Sequence, residues 1–254
     1  MDHLFDVKGK TALITGSGQG IGFTLARGLG SAGCTVVLND IIEDRLNTAV
    51  TQLNDEGINA HGVVFDVRDE NSVNAGILKA EKEAGPIDIL VNNAGIQIRG
   101  PLEDFPLADW QRLIDINLTG VFIVAKAAVK GMIERKAGKI INICSMQSEL
   151  ARPSIAPYTA AKGGVRNLTR GMATEWGKYN IQTNGIAPGY IKTEMTKSLY
   201  TDEKFDAWLR GRTPANRWGN PEELVGTLIY LASKASDYVN GHLVYVDGGM
   251  LACV

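Results

Sequence analysis

Seven short β-branched runs alternate with longer helical ones along this chain, and no other feature of the sequence narrows the fold as far. Thr11–Thr15, Thr35–Leu38, Gly62–Phe65, Ile87–Val91, Lys139–Ile143, Ile181–Ile186 and His242–Val246 read as strands. Several are apolar nearly throughout, the pattern of strands buried on both faces of a parallel sheet. Between them, Ile21–Ala32, Glu43–Glu56, Glu70–Ala84, Ala108–Glu134, Tyr158–Lys178 and Pro221–Ser233 carry helical periodicity. The alternation predicts one doubly wound α/β domain over residues 1–254, with a mostly parallel seven-stranded sheet and helices on both faces. No repeat or linker divides the chain. In such sheets ligands bind beyond the carboxyl ends of the strands, so strand ends carry the functional expectation.

Charge narrows the partners. Lys+Arg is 26 against Asp+Glu 28, and a net charge of −2 argues against a nucleic-acid or basic membrane-surface role. Cys34, Cys144 and Cys253 are widely spaced and His3, His61 and His242 are scattered, so neither a disulfide framework nor a metal site is expected. Met1–Lys10 holds Asp2 and Asp6 and no apolar stretch, unlike a secretory signal. No uninterrupted apolar run is long enough to span a bilayer, and a cytoplasmic protein is expected.

The first strand runs into Gly16-Ser17-Gly18-Gln19-Gly20-Ile21-Gly22, followed by a helix. The fit is G-x-x-x-G-x-G on Gly16, Gly20 and Gly22, a turn that brings backbone N–H groups and a helix N-terminus up to a pyrophosphate. Strand two ends at Asp40, placed either to take the 2′- and 3′-hydroxyls of an adenosine ribose or to cap the next helix. A carboxylate there repels a 2′-phosphate, and Gln19 offers that phosphate no cation, so NAD(H) is favoured over NADP(H). Asp66, beside Val67 at the end of strand three, reads as a contact to the adenine edge or as a turn former.

Strand four ends in Asn92-Asn93-Ala94-Gly95, whose asparagines suit holding neighbouring loops open for a cofactor. Strand five ends at Ser145; Pro157 then opens a helix on which Tyr158 and Lys162, four apart, share one face. An unperturbed tyrosine ionises near ~10. A nearby ammonium, with the positive charge of an oxidised nicotinamide, would lower that value and let Tyr158 exchange a proton with a substrate hydroxyl while hydride moves. Ser145 would hold the substrate oxygen in line, and Asn117 would anchor a water relaying protons from Lys162.

Together, Thr15-Gly16-x-x-x-Gly20-x-Gly22, Asn92-Asn93-Ala94-Gly95, Asn117, Ser145, Tyr158-x-x-x-Lys162 and Pro188-Gly189 resemble the short-chain dehydrogenase/reductase family over essentially the whole chain. The resemblance implies a Rossmann-type domain. It also implies that Pro188, Gly189, Ile191 and Thr193 line the nicotinamide and its phosphates, that residues 194–212 form a substrate lid, and that the protein is a homotetramer. NADP-preferring members tend to carry a basic residue at the place of Gln19 or just after strand two, and this chain has neither. Ile141–Leu150, Arg217-Trp218-Gly219 and the segment Val239–Leu251 resemble more narrowly the gluconate 5-dehydrogenase subgroup, in which two consecutive arginines tend to stand where this chain has Ile98-Arg99.

A polyhydroxy acid needs a cation for its carboxylate and polar groups for its hydroxyls. Arg99, Gln147, Ser148 and Arg152 follow strand ends four and five and supply them, although Arg99 and Arg152 also read as loop charges. Trp208 and Trp218 read as packing residues that exclude water. The expected activity is hydride transfer between a nicotinamide cofactor and a sugar acid, interconverting D-gluconate and 5-keto-D-gluconate. A 3-oxoacyl-carrier-protein reductase or another polyol dehydrogenase is the alternative within the class, and a catalytically silent dinucleotide-binding regulator the alternative outside it.

Overall fold

In the computed structural model, which describes residues 3–253, seven strands form one sheet in the order β3-β2-β1-β4-β5-β6-β7, and every neighbouring pair runs parallel. They are β1 (Thr11–Ile14), β2 (Thr35–Asp40), β3 (Ala60–Val64), β4 (Ile89–Asn92), β5 (Gly138–Ile143), β6 (Ile181–Pro188) and β7 (Leu243–Val246). The helices are α1 (Gly20–Ser31), α2 (Glu43–Asp55), α3 (Glu70–Ala84), α4 (Leu107–Ile114), α5 (Gly120–Arg135), α6 (Ala156–Trp176), α7 (Lys197–Tyr200), α8 (Glu203–Arg212) and α9 (Val225–Ala232).

Alternation along each strand explains why several of these runs are apolar nearly throughout. On β1, Ala12 and Ile14 join a core with Leu25 and Leu29 of α1, Leu46 of α2 and Leu228 of α9. Leu13 points the other way, to Val73 and Ile77 of α3, Val124 of α5 and Val165 of α6. Each such fully buried aliphatic side chain contributes about 1.5–3 kcal/mol.

The seven predicted strands and six helical spans are all present, with two changes inside them. The span predicted as one helix over 108–134 is interrupted by a π-turn, Asp115–Thr119, between α4 and α5. Such turns carry an extra residue and favour functional places; this one carries Asn117. The last predicted helix opens as a 3₁₀ turn, Pro221–Leu224, under an Asn220/Glu223 capping box. By length and composition Leu107–Arg135 could cross a membrane, but Val121, Val124, Ala125, Ala128 and Met132 lie in the core of this domain.

β1 and β4 are neighbours from which the chain departs in opposite directions, so the loops after them diverge and leave a cleft. Those loops are bolted together. Asn93 Nδ2 donates to the carbonyls of Thr15 and Gly16, both at 2.9 Å, and Thr15 Oγ1 accepts from the N–H groups of Asn93 and Ala94 at 3.0 Å. Gly16 sits at φ +61°, where a Cβ would lie 2.8 Å from Ala94 Cα, so only glycine fits the crossing.

Candidate active site

The cleft at this switch point encloses about 430 Å³. Gly16, Gln19, Gly20, Ile21 and Gly22 line its middle. α1 begins there with no capping side chain and no acid in its first turn, which leaves its N–H groups open to an anion. Gly20, at φ +61°, has empty space where a Cβ would be. Ser17 is different. It is fully buried, its hydroxyl donates to the Ile14 carbonyl at 2.8 Å, and its N–H is taken by the Asn39 carbonyl at 2.8 Å. Ser17 therefore braces the turn from behind rather than facing the cleft as the sequence suggested.

One end of the cleft holds Asp40 and Asp66, and both carboxylates are already occupied. Asp40, 3% exposed, accepts from Arg45 Nε at 3.0 Å and Nη2 at 2.6 Å and from the N–H groups of Ile42 and Gly18. The expectation that no cation follows strand two is thus corrected. Arg45 lies five residues past Asp40, and one turn of α2 returns its guanidinium to the strand end. Asp66 is likewise held by Arg68, at 2.6 Å to Nη2, and this ion pair keeps its carboxyl below the usual range. Val67 lines the wall between them and the centre.

At the other end Ser145, Tyr158 and Lys162 converge with Asn93, Ala94, Gly95, Pro188, Gly189, Ile191 and Thr193. Ser145 Oγ accepts the Gln147 N–H at 3.1 Å, which leaves the serine proton free to be donated. Ser145 also reaches the Tyr158 hydroxyl. Burial pushes that phenol up to about 12, and the serine contact only partly offsets it. In the free protein burial thus opposes the lowering expected from Lys162 and an oxidised nicotinamide together. Lys162 Nζ is bonded to the Ile143 carbonyl at 2.6 Å and lies 5.7 Å from the Tyr158 ring centroid, while its own burial pulls it downward. Asn117 also departs from expectation: its side-chain amide is spent on the backbone of Ile96, accepting its N–H and donating to its carbonyl, both at 2.8 Å. The Asn117 side chain thus fixes a loop.

That loop leads to a second cavity of about 90 Å³, which shares Ser145, Tyr158 and Gly189 with the cleft. Arg99, Gln147 and Arg152 line it, as do Gln97 and Tyr190, which the sequence reading left out. No carboxylate is part of its wall, and neither arginine has an acidic partner among the described residues. Burial and then the like charge of Arg152 pull Arg99 downward. Arg152 also stands 5.5 Å over the Phe205 ring, and its charge opposes the upward push that burial gives Tyr190. The two loops are tied by the Gly100 N–H, which donates to the Ser154 carbonyl at 3.0 Å. Ser148 does not join them. Its hydroxyl donates to the Lys162 carbonyl at 3.0 Å and anchors α6, so its predicted contact with substrate is withdrawn.

Leu199 of α7 lines this cavity, and α8 packs on its Tyr190. Tyr190 packs edge-on to Phe205, Trp208 and Trp218 at centroid distances of 5.5, 6.3 and 5.6 Å. Trp218 is 3% exposed and donates to Asp206 at 2.7 Å, whereas Trp208 is half exposed. Among the described residues no cluster of His, Cys, Asp and Glu could hold a metal. Arg45 and Gln97 were the residues hardest to find, because each is an ordinary surface type until the fold sets it against its neighbours.

A family model described as short chain dehydrogenase matches residues 10–204. The chain is 57% identical over 254 residues to the 5-keto-D-gluconate 5-reductase of Escherichia coli K12, covering all of both chains. It is 54% identical to the 2-dehydro-3-deoxy-D-gluconate 5-dehydrogenase of Formosa agariphila, over 99% of this chain and 96% of that one. A crystal structure of a gluconate 5-dehydrogenase from Burkholderia cenocepacia J2315, in complex with NADP and tartrate, superposes with a TM-score of 0.96 at 55% identity, covering 99% of this chain and 98% of that one. The chain belongs to the short-chain dehydrogenase family, and it is an oxidoreductase that uses a nicotinamide cofactor.

Proposed function

We propose that this short-chain dehydrogenase interconverts D-gluconate and 5-keto-D-gluconate. One observation carries the reading: Arg99 and Arg152, neither with an acidic partner, share a small cavity with Ser145 and Tyr158. Two guanidiniums beside a proton donor suit an anionic ketone. The names of the relatives agree with this chemistry.

The residues present fit a nicotinamide dinucleotide. The uncapped start of α1 and the Gly16–Gly22 turn would hold its pyrophosphate, and Asn93, Ala94, Gly95, Pro188, Gly189, Ile191 and Thr193 would flank the nicotinamide. When bound, the nicotinamide supplies or accepts the hydride. Tyr158 is the acid and base. With its proton held firmly, it is ready to donate to the ketone oxygen at neutral pH, while oxidation of the alcohol requires the phenolate. Ser145, receiving the Gln147 N–H, donates its own proton to the same oxygen and holds it in line. Lys162 tunes the tyrosine and binds the ribose. The backbone of Asn117, its side chain being engaged, is left to support the proton relay.

Arg45 changes the cofactor reading. Because it neutralises Asp40, the strand end accepts NADP(H) as well as NAD(H): the guanidinium takes a 2′-phosphate, or the aspartate takes the ribose hydroxyls. Residues 194–212, folded as a 3₁₀ turn with α7 and α8, serve as the lid of the single domain. The working form is a cytoplasmic homotetramer, for which Leu107 and Phe122, exposed on the Leu107–Arg135 helix, offer apolar contact. The test is the rate with 5-keto-D-gluconate and NADH or NADPH beside an acetoacetyl thioester. Turnover of the sugar acid is expected with both cofactors; turnover of the thioester alone would overturn the substrate.

A further inference from the structure

Six buried side-chain polar atoms among the described residues lack any hydrogen-bond partner, and three of them meet in the substrate cavity: Gln97 Oε1, Gln147 Oε1 and Arg152 Nε. Gln147 is 6% exposed, so water does not readily stand in for its missing partner. Buried acceptors left alone are destabilising, and their clustering where a ligand belongs points to groups the ligand brings.

The chemistry of those groups follows from the atoms. Arg152 Nε is a donor beside a second guanidinium, and it suits the substrate carboxylate. The two glutamines offer carbonyl oxygens, which want hydroxyl donors. A hydroxyl both donates and accepts, so it satisfies either end of a carboxamide whichever way the amide turns. A methylene satisfies neither. The placement is equally specific. Gln147 is two residues from Ser145 and its own N–H donates to the serine oxygen, which puts it with the reacting carbon. Gln97 is two residues from Arg99 and follows Ile96, whose N–H and carbonyl are both clamped by Asn117. That puts it toward the carboxylate end.

We propose that Gln97 and Gln147 are specificity residues, each taking a hydroxyl on the carbon chain between the carboxylate and the reacting carbon. The site therefore selects a polyhydroxylated oxo acid over a deoxygenated one of the same length. Asn117 is the positioning residue for the first of them. The proposal rests on the sugar-acid reading above and adds the groups that read the chain.

The experiment compares kcat/KM for 5-keto-D-gluconate and for 5-oxohexanoate, which keeps the carboxylate and the C5 ketone and lacks every chain hydroxyl, both with NADPH. The wild type is expected to prefer the sugar acid by at least about a hundredfold, and Gln97→Met and Gln147→Met each to shrink that preference about tenfold, with little change for 5-oxohexanoate. Binding of NADPH, followed by its fluorescence, verifies the fold of each variant. Where a Met variant fails to bind it, the corresponding Gln→Asn variant, which withdraws the amide by one methylene, takes its place. Equal losses on both acids, or an unchanged preference, would overturn the proposal while wild-type turnover of the sugar acid stands. A wild type that reduces neither acid yet reduces a neutral ketone would overturn the sugar-acid reading, and this proposal with it.

Discussion

The two ends of the cleft treat charge in opposite ways. At the adenosine end Asp40 and Asp66 each hold an arginine, in contacts of 2.6 Å, and the fold completes both pairs without help. At the substrate end Arg99 and Arg152 face the same cavity with no acid, and unpaired glutamine oxygens stand beside them. Arg152 is partly buried and Arg99 exposed, so both guanidiniums stay within reach of an anionic ligand. The contrast distinguishes charge that the chain satisfies for itself from charge reserved for a ligand. On the proposed reading, the first end takes either dinucleotide and the second takes an anion.

The sharpest way to break the comparison is at the shared centre. Tyr158→Phe removes the proton and keeps the ring, so kcat is expected to fall by about three orders of magnitude with NADPH affinity unchanged in a fluorescence titration. A variant that kept its activity would sink the acid–base assignment. Next in size is the unpaired end. Arg152→Met should raise the KM for 5-keto-D-gluconate about a hundredfold, because a partly buried charged contact is lost, and the more exposed Arg99→Met about tenfold. Reduction of an uncharged ketone should hardly respond, and a parallel loss there would reassign both arginines to packing.

The pH profile tests the centre in a second way. Burial holds the Tyr158 phenol above its ordinary value, at about 12 in the free protein. Oxidation needs the ionised form, whose fraction grows about tenfold per pH unit below the pKa. The oxidative kcat should therefore climb from about pH 7 to about pH 9 while the reductive kcat stays level. A flat oxidative profile would mean that the phenol is already ionised when the cofactor is bound, and Lys162 would then outweigh burial after all. The smallest expected effect lies at the paired end. Arg45→Gln should raise the KM for NADPH about tenfold and leave that for NADH within about twofold. Equal changes for the two cofactors would mean that Arg45 only braces Asp40.

Much of this site could be read from the chain, and the misses share a cause. Gly16, Asn93, Ser145, Tyr158 and Lys162 sit at strand ends or at a fixed helical spacing, so local geometry alone brings them together. Ser17 and Ser148 lie in the same short segments yet face inward, because each hydroxyl finds a nearer backbone carbonyl at Ile14 and Lys162. Spacing cannot choose between the two sides of a turn. Arg45 was missed because its partner is five residues back across a strand end. The π-turn around Asn117 was missed because 3.6-residue periodicity continues on both sides of it.

What the sequence determined by itself was the topology and the reacting groups. Runs apolar nearly throughout are buried between two layers of helices, and that requirement sets the sheet, its switch point and whatever stands at its strand ends. What only the tertiary structure decided was the state of those groups. The protonation of Tyr158, the partner of Asp40, and the isolation of Arg99, Arg152, Gln97 and Gln147 depend on burial and on neighbours distant in sequence. Desolvation and charge act over a few ångströms of space whatever the separation along the chain, and only the folded arrangement specifies those distances.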